Sequence, residues 1–319
     1  MNEFDLIGRY FARPARRALL GVGDDCALLS PPPPGQVLAV SVDMLVEGRH
    51  FFAGVDPRAL GHKTLAVNLS DLAAMGAKPA WFTLALALPG ADADWLAGFA
   101  DGLFALADAA DIELVGGDTT RGPLTLSIQV AGHVPAGQAM RRDGARLGDD
   151  VWVSGALGAA AMAVRHRAGE IELDAPMLAA CSARLDWPSP RLALGERLLG
   201  HASAALDVSD GLIGDLGHIC ECSGLGGDID WLQVPVDVVI SHLPESVRQS
   251  AALAGGDDYE LCFTAAPSER EAIVSLSDSL GLPLSRIGRM RAGQGVAVLD
   301  ADGQVLPLAR GGFDHFSVP

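Results

Sequence analysis

The chain has 319 residues, 49% of them hydrophobic and 20% charged, with 23 lysines and arginines against 40 acids and a net charge of −17. That length suits two domains of ordinary size with a substantial core. The charge argues against nonspecific nucleic-acid binding or an anionic membrane surface as the main business, but not against small anionic substrates where something local reverses the sign.

The first segment, MNEFDLIGRYFARP, carries Glu3 and Asp5 and lacks the apolar run of a signal peptide. GVGDDCALL follows, with Asp24 and Asp25 on a glycine turn, and PPPP at 31–34 reads as a stiff surface loop. VLAVSVDML (37–45) predicts a strand with Asp43 near its carboxyl end. Asp56 then caps a helix with Pro57 in its first turn, running to Gly76. WFTLALAL predicts a buried strand and is too short to cross a bilayer. Trp95, Phe99, Leu103 and Leu106 repeat at helical period. IELV and LTLSIQVAGHV predict two more strands, hinged by a glycine-rich turn at Gly116 and Gly117.

The polar stretch 135–150 is the expected junction, giving domains of 1–138 and 139–319. The fold class expected is α/β (α+β), with an α/β sandwich first and a second α/β domain after it. In that second part VWVSG opens a strand, and Asp149 and Asp150 before it read as a tight turn outside any site. Alanine-rich helices follow. SAALDVSDG is a strand ending in acids, LIGDLGHICEC the helix after it, and YELCFTA, SRIGRM and GVAVLD are further strands. The five cysteines, Cys26, Cys181, Cys220, Cys222 and Cys262, include no CxxC pair, which suits reduced thiols in a cytoplasmic protein. NLS at Asn68 matches a glycosylation sequon, a chance match in such a chain.

Asp25, Asp43, Asp71, Asp118, Asp207 and Asp210 carry the chemical question. Asp favours turns and caps, so any one of them has an ordinary structural reading. Asp71 does not fit it, because VNLSDLAAMG is a helix apolar on most sides with no capping role at its middle. Two carboxylates about 5 Å apart repel by roughly 3 kcal/mol at an effective dielectric of 20, so a convergent set needs counter-charge. A hard divalent cation such as Mg²⁺ supplies it and keeps room for phosphates. Walker-type, dinucleotide, GxSxG and HExxH motifs are absent.

In order along nearly the whole chain, GVGDDCALL, SVDMLVEGRHF, KTLAVNLSDLAAMGAKPAW, GGDTTRGPL, RRDGARLGD, DVSDGL, GGDDYELCFT and GGFDHF resemble the thiamine-monophosphate kinases of the aminoimidazole-ribonucleotide-synthetase-like superfamily. The resemblance implies that superfamily's two-domain architecture, with metal, ATP and dimer contacts in the first domain and the ATP and substrate site completed by the second. It implies ATP-dependent phosphorylation of thiamine monophosphate to thiamine diphosphate, several Mg²⁺ ions, ATP as co-substrate, and a homodimer. By position, Asp25, Asp43, Asp71, Asp118, Asp207 and Asp210 match metal ligands, with Ser41 and Val42 adding oxygens. Gly117, Asp118, Arg142 and Ser209 match ATP contacts, Arg142 being the expected catalytic cation. His50, Asp257 and Phe313 match the thiamine-phosphate contacts. Val42 stands where many members have threonine, and Asp257 where glutamate is usual. The rival readings are a purine-ring-closing synthetase of the same superfamily and a non-catalytic cation-binding module.

Overall fold

The computed structural model describes residues 2–307. The chain divides into two compact units: one holds the residues up to Leu72 together with Ala77–Gly137, the other Ala73–Gly76 and the residues from Gln138 on. In the first, a single helical turn α1 (Glu3–Leu6) precedes β1 (Gln36–Val46), α2 (Pro57–Ala74), β2 (Lys78–Leu88), α3 (Ala93–Ala109), β3 (Glu113–Arg121) and β4 (Thr125–Pro135). Apolar alternation marks the strands and helical period marks α3, while α2 starts where Asp56 accepts the Arg58 N–H at 3.0 Å. The sheet order is β1-β4-β2-β3, with β2 and β3 parallel and the other pairs antiparallel.

Alternation along β2 and β4 turns Phe82, Leu84, Leu86, Leu126, Ile128 and Val130 into the buried face of that sheet. Helix α2 is apolar on most sides because most sides are covered: Leu60, Leu65, Leu69 and Leu72 are all buried. It meets α3 at glycines. A Cβ on Gly61 would lie 2.0 Å from the Phe99 carbonyl oxygen, and one on Gly102 would lie 1.8 Å from that of Arg58. Only glycine admits backbones this close.

Helix α3 starts where Asp92 accepts the N–H groups of Asp94 (2.9 Å) and Trp95 (3.0 Å), and Trp95 then stacks on Phe99. Asp92→Ala is expected to lower unfolding stability by about 1 kcal/mol, the usual worth of such a cap. A urea midpoint equal to the parent's would show that the cap contributes nothing.

In this unit the third strand differs from its sequence reading. The glycines at 116 and 117 do not end the third strand; β3 runs on to Arg121, and the hinge to β4 is at 122–124. The pairing of β3 with β2 shifts register between Phe82 and Thr83 and then resumes through Asp118. Gly117 is needed in the strand rather than in a turn, since a Cβ there would meet the Leu84 carbonyl oxygen at 1.9 Å.

The second unit contains β5 (Asp150–Ser154), α4 (Ala159–Arg167), α5 (Ala175–Asp186), α6 (Leu192–Leu198), β6 (Ala202–Asp207), α7 (Leu212–Ser223), β7 (Gly226–Asp230), α8 (Glu245–Ala254), β8 (Leu261–Ala265), α9 (Arg270–Leu280), β9 (Leu284–Arg291) and β10 (Val296–Leu299). Its sheet order is β10-β7-β9-β5-β8-β6. Val151, Val153, Leu206, Cys262, Ile229 and Ile287 pack against α7 and its neighbours on one side. Trp152, Ala205, Leu261 and Phe263 pack with α6 and α9 on the other. The strand expected from Tyr259 begins at Leu261, because Asp257 and Tyr259 have φ of +67° and +51°, outside any strand conformation.

Candidate active site

In the first unit β1 and α2 meet at a part-buried polar contact. Ser41 and Asp43, two residues apart, point to the same side of β1 as Leu45. The Ser41 hydroxyl donates to Asp71 Oδ2 at 2.5 Å, which explains an acid in the middle of α2. The Asp43 N–H donates to Asn68 Oδ1 at 3.0 Å, and the Asn68 amide nitrogen donates to the Thr64 carbonyl, so Asn68 ties the strand to the helix. Asn68 is buried, and its polar atoms are spent on backbone; the sequon is a structural asparagine. Lys63, also buried, lies on the same helix.

Val42 faces the opposite way and is 62% exposed, and since its side chain is hydrocarbon only its backbone carbonyl is available as an oxygen ligand. His50 Nδ1 accepts the Val46 N–H at 3.0 Å in the turn after β1, which leaves the neutral ring protonated at Nε2. Asp118 is exposed on β3, opposite Ala85 of β2. Asp25 is exposed in the loop before β1, its N–H bonded to Asp24.

In the second unit Asp207 is the buried last residue of β6, and residues 208–211 form the loop into α7. The 257–260 segment runs alongside. Asp257 N–H donates to the Ser209 carbonyl, Tyr259 N–H to that of Val208, and Val208 N–H to that of Glu260. Ser209 and Asp257 are thereby neighbours. Two left-handed residues so close together are backbone strain of the sort found at ligand-handling sites. They are held by anchors on both sides. Asp258 accepts the Gly158 N–H at the start of α4 through both oxygens at 3.0 Å. Glu260 pairs with Arg191 and accepts the Ser154 hydroxyl. Desolvation pushes the Asp258 carboxyl well above the usual range, against the Gly158 N–H and reinforced by the charges of Glu260, Asp257 and Asp237.

Asp215, one turn into α7, accepts the N–H groups of Ser209, Asp210 and Gly211 on its Oδ2. Burial pushes its carboxyl up to about 7, against those three donors, and the Asp210 charge adds to the rise. Arg142 is exposed in the loop before β5, where its carbonyl accepts the Ser223 hydroxyl.

Asp149 and Asp150 have structural partners, as their turn suggests. Asp149 accepts the Ser203 hydroxyl and the Arg146 N–H, and Asp150 pairs with Arg270 and Arg286. Cys220 is buried and Cys222 exposed on one helix. Phe313 lies outside the described residues.

Among the described residues no three His, Cys, Asp or Glu side chains stand grouped as a metal cage. The candidate ligands fall into smaller sets: Ser41 with Asp71 and, along the strand, Asp43; and Asp207 at the end of β6 with Asp210 three residues on, in the loop that follows. Every donor in them is an oxygen, the chemistry of a hard cation rather than of zinc or copper.

Two α/β units carrying oxygen ligands suited to a hard cation are consistent with an enzyme that handles phosphates, and the comparisons with known proteins give the class. Residues 23–134 match the AIR synthase related protein N-terminal domain, and residues 146–301 match the corresponding C-terminal domain. The thiamine-monophosphate kinase of Salmonella typhimurium is 46% identical over 326 residues, covering 100% of this chain and 99% of that one. The crystal structure of thiamine-monophosphate kinase from Stenotrophomonas maltophilia K279a superposes with a TM-score of 0.85 at 50% identity, covering 95% of this chain and 96% of that one. A structure described as AaThiL complexed with AMPPCP and TMP gives a TM-score of 0.78 at 29% identity over 89% of each chain. This chain belongs to the thiamine-monophosphate kinase family.

Proposed function

We propose that the chain transfers the γ-phosphoryl group of ATP to the phosphate of thiamine monophosphate, releasing ADP and thiamine diphosphate. The observation that carries the reading is the 46% identity spread over the whole of both chains. The AaThiL complex supports it with a relative, alike in fold, described with AMPPCP and TMP.

The acceptor phosphate is already an anionic nucleophile, so no general base is required. Its oxygen attacks the γ-phosphorus in line as the bond to the bridging β,γ-oxygen breaks. The barrier is the approach of two polyanions. Bound Mg²⁺ would offset that charge, held by Ser41, Asp43, Asp71, Asp25, Asp118 and the Val42 carbonyl in the first unit and by Asp207 and Asp210 in the second. Arg142 is the side chain that meets developing negative charge on the transferring group. Gly117, with no side chain, lets phosphate oxygens come close to the backbone, and Ser209 offers a hydroxyl to the nucleotide. His50 and Asp257 orient the thiamine phosphate. The oxygen-only donor sets and the strained setting of Asp257 support these roles.

An assay of ADP release, with and without thiamine monophosphate, tests the reading directly. Release that ignores thiamine monophosphate would sink it in favour of another ATP-using reaction.

The proposal extends to a homodimer. Leu38, Val40, Val42 and Met44, alternate residues on one face of the edge strand β1, are all exposed, an apolar stripe that a monomer has no reason to keep wet. A second copy of the same stripe covers it. Val40→Asp is expected to shift sedimentation from dimer to monomer with secondary structure retained; a dimeric variant removes this face from the interface. Five free cysteines agree with a reducing, cytoplasmic setting, and among the described residues no helix is long and apolar enough to cross a membrane.

A further inference from the structure

Residues 208–211 carry two of the proposed functional groups, Ser209 and Asp210, and follow a third, Asp207. What holds this loop is a side chain assigned no part in the reaction. Three consecutive backbone N–H groups, those of Ser209, Asp210 and Gly211, all donate to Asp215 Oδ2, each at 3.1 Å. Asp215 is 4% exposed, so the contact is shielded from water. Successive amides converging on one point form a nest that ordinarily takes an external anion. Here the chain fills the nest with its own carboxylate from one helical turn downstream.

The rest of the loop is held from other directions. Gly211 has φ +116°, and a Cβ there would lie 2.8 Å from the Ala254 backbone. The Ser209 and Val208 carbonyls accept N–H groups from the 257–259 segment. The 257–259 contacts account for the carbonyls, and Asp215 accepts from the amides. Without that carboxylate three neighbouring donors lose their acceptor, and the loop has a reason to turn its amides toward water.

We propose that Asp215 is a positioning residue for phosphoryl transfer: by gathering the 209–211 amides it fixes where Ser209 and the Asp210 carboxylate stand. The inference rests on the roles proposed above for Ser209 and Asp210. Asp215 acts through the backbone and not by touching substrate.

The test uses the full chain with Asp215→Ala and Asp215→Asn, the second keeping an acceptor oxygen of the same reach. Four quantities are read: kcat, the KM for each substrate, the Mg²⁺ concentration for half-maximal rate, and amide hydrogen exchange of the peptide spanning 208–212. For Asp215→Ala we expect kcat at least about tenfold lower, half-saturation by Mg²⁺ at least about tenfold higher, and faster exchange confined to 208–212. The KM for thiamine monophosphate should stay within about twofold. Asp215→Asn should recover part of both the exchange protection and the Mg²⁺ response, remaining about threefold or more from the parent.

Parent-like exchange at 208–212 in the alanine variant overturns the inference. So does faster exchange with kcat and Mg²⁺ response unchanged, which makes Asp215 a helix cap and nothing more. If the alanine variant does not fold, the asparagine variant decides alone, and parent-like exchange and Mg²⁺ response in it overturn the inference. A parent protein inactive on thiamine monophosphate overturns the proposed activity instead, and the exchange result still decides whether Asp215 holds the loop.

Discussion

Asp118→Asn is expected to lower kcat by about a thousandfold while leaving the fold intact. The side chain is exposed on β3, so amidation removes charge without opening a cavity. A carboxylate that orients charge-neutralising groups on a transferring phosphoryl is worth several kcal/mol, and about 4 kcal/mol corresponds to that factor. The thermal midpoint without ligands should be unchanged or slightly higher, because a chain of net charge −17 gains from losing one negative charge. Turnover at saturating Mg²⁺ and a thermal scan are read together. Parent-like turnover would remove Asp118 from the reaction, and lost turnover with a lowered midpoint would give it a structural duty instead.

Asp257→Asn is expected to raise the KM for thiamine monophosphate about ten- to a hundredfold and to leave that for ATP within about twofold. A lost charge-assisted contact of about 1.5–3 kcal/mol accounts for the range. Asparagine is the substitution of choice, because residue 257 has φ +67°, a conformation that asparagine adopts readily and alanine does not. Asp257→Ala adds backbone strain felt by both substrates, so its kinetics mix two causes. Asp257→Glu should be tolerated, and tightens binding if the surroundings leave room for one more methylene. Equal changes in the two constants for the asparagine variant would take Asp257 out of the substrate site.

The fold was legible in the sequence where a local rule decided the outcome. Apolar runs bounded by turns mark β1, β2 and β4, helical period marks α3, and the Asp56–Pro57 start marks α2, where Asp56 accepts the Arg58 N–H. It was not legible where a distant partner decided. Gly116 and Gly117 read as a turn, yet pairing with β2 carries the strand through them. Tyr259 reads as strand, yet its N–H is taken by Val208 in a left-handed conformation.

The candidate site divides the same way. Asp71 stood out because a mid-helix acid has no cap to make, and Ser41 is the partner that explains it. Asn68 and Asp215 were missed because both act on backbone groups brought to them by folding. Asp215 did carry a signal, an acid one turn past the glycine that opens a helix, where a carboxylate meets unpaired amides. Asn68 carried none, since nothing in VNLSD tells a strand-anchoring amide from an ordinary polar residue.

The glycine contact between α2 and α3 bears on how this enzyme could change. Asp71 lies ten residues beyond Gly61 on one continuous helix, about 15 Å along its axis. A methyl group at Gly61 or Gly102 starts 2.0 or 1.8 Å from a carbonyl oxygen, so the helices must part by an ångström or more to admit it. A rigid helix passes that displacement to its far end, where a hydroxyl–carboxylate contact of 2.5 Å has no slack. Evolvability is therefore uneven along the chain. In a selection for new acceptor substrates, positions 61 and 102 would behave as forbidden ground although neither is a candidate ligand contact, and the paths left open to adaptation would run through the second unit's loops.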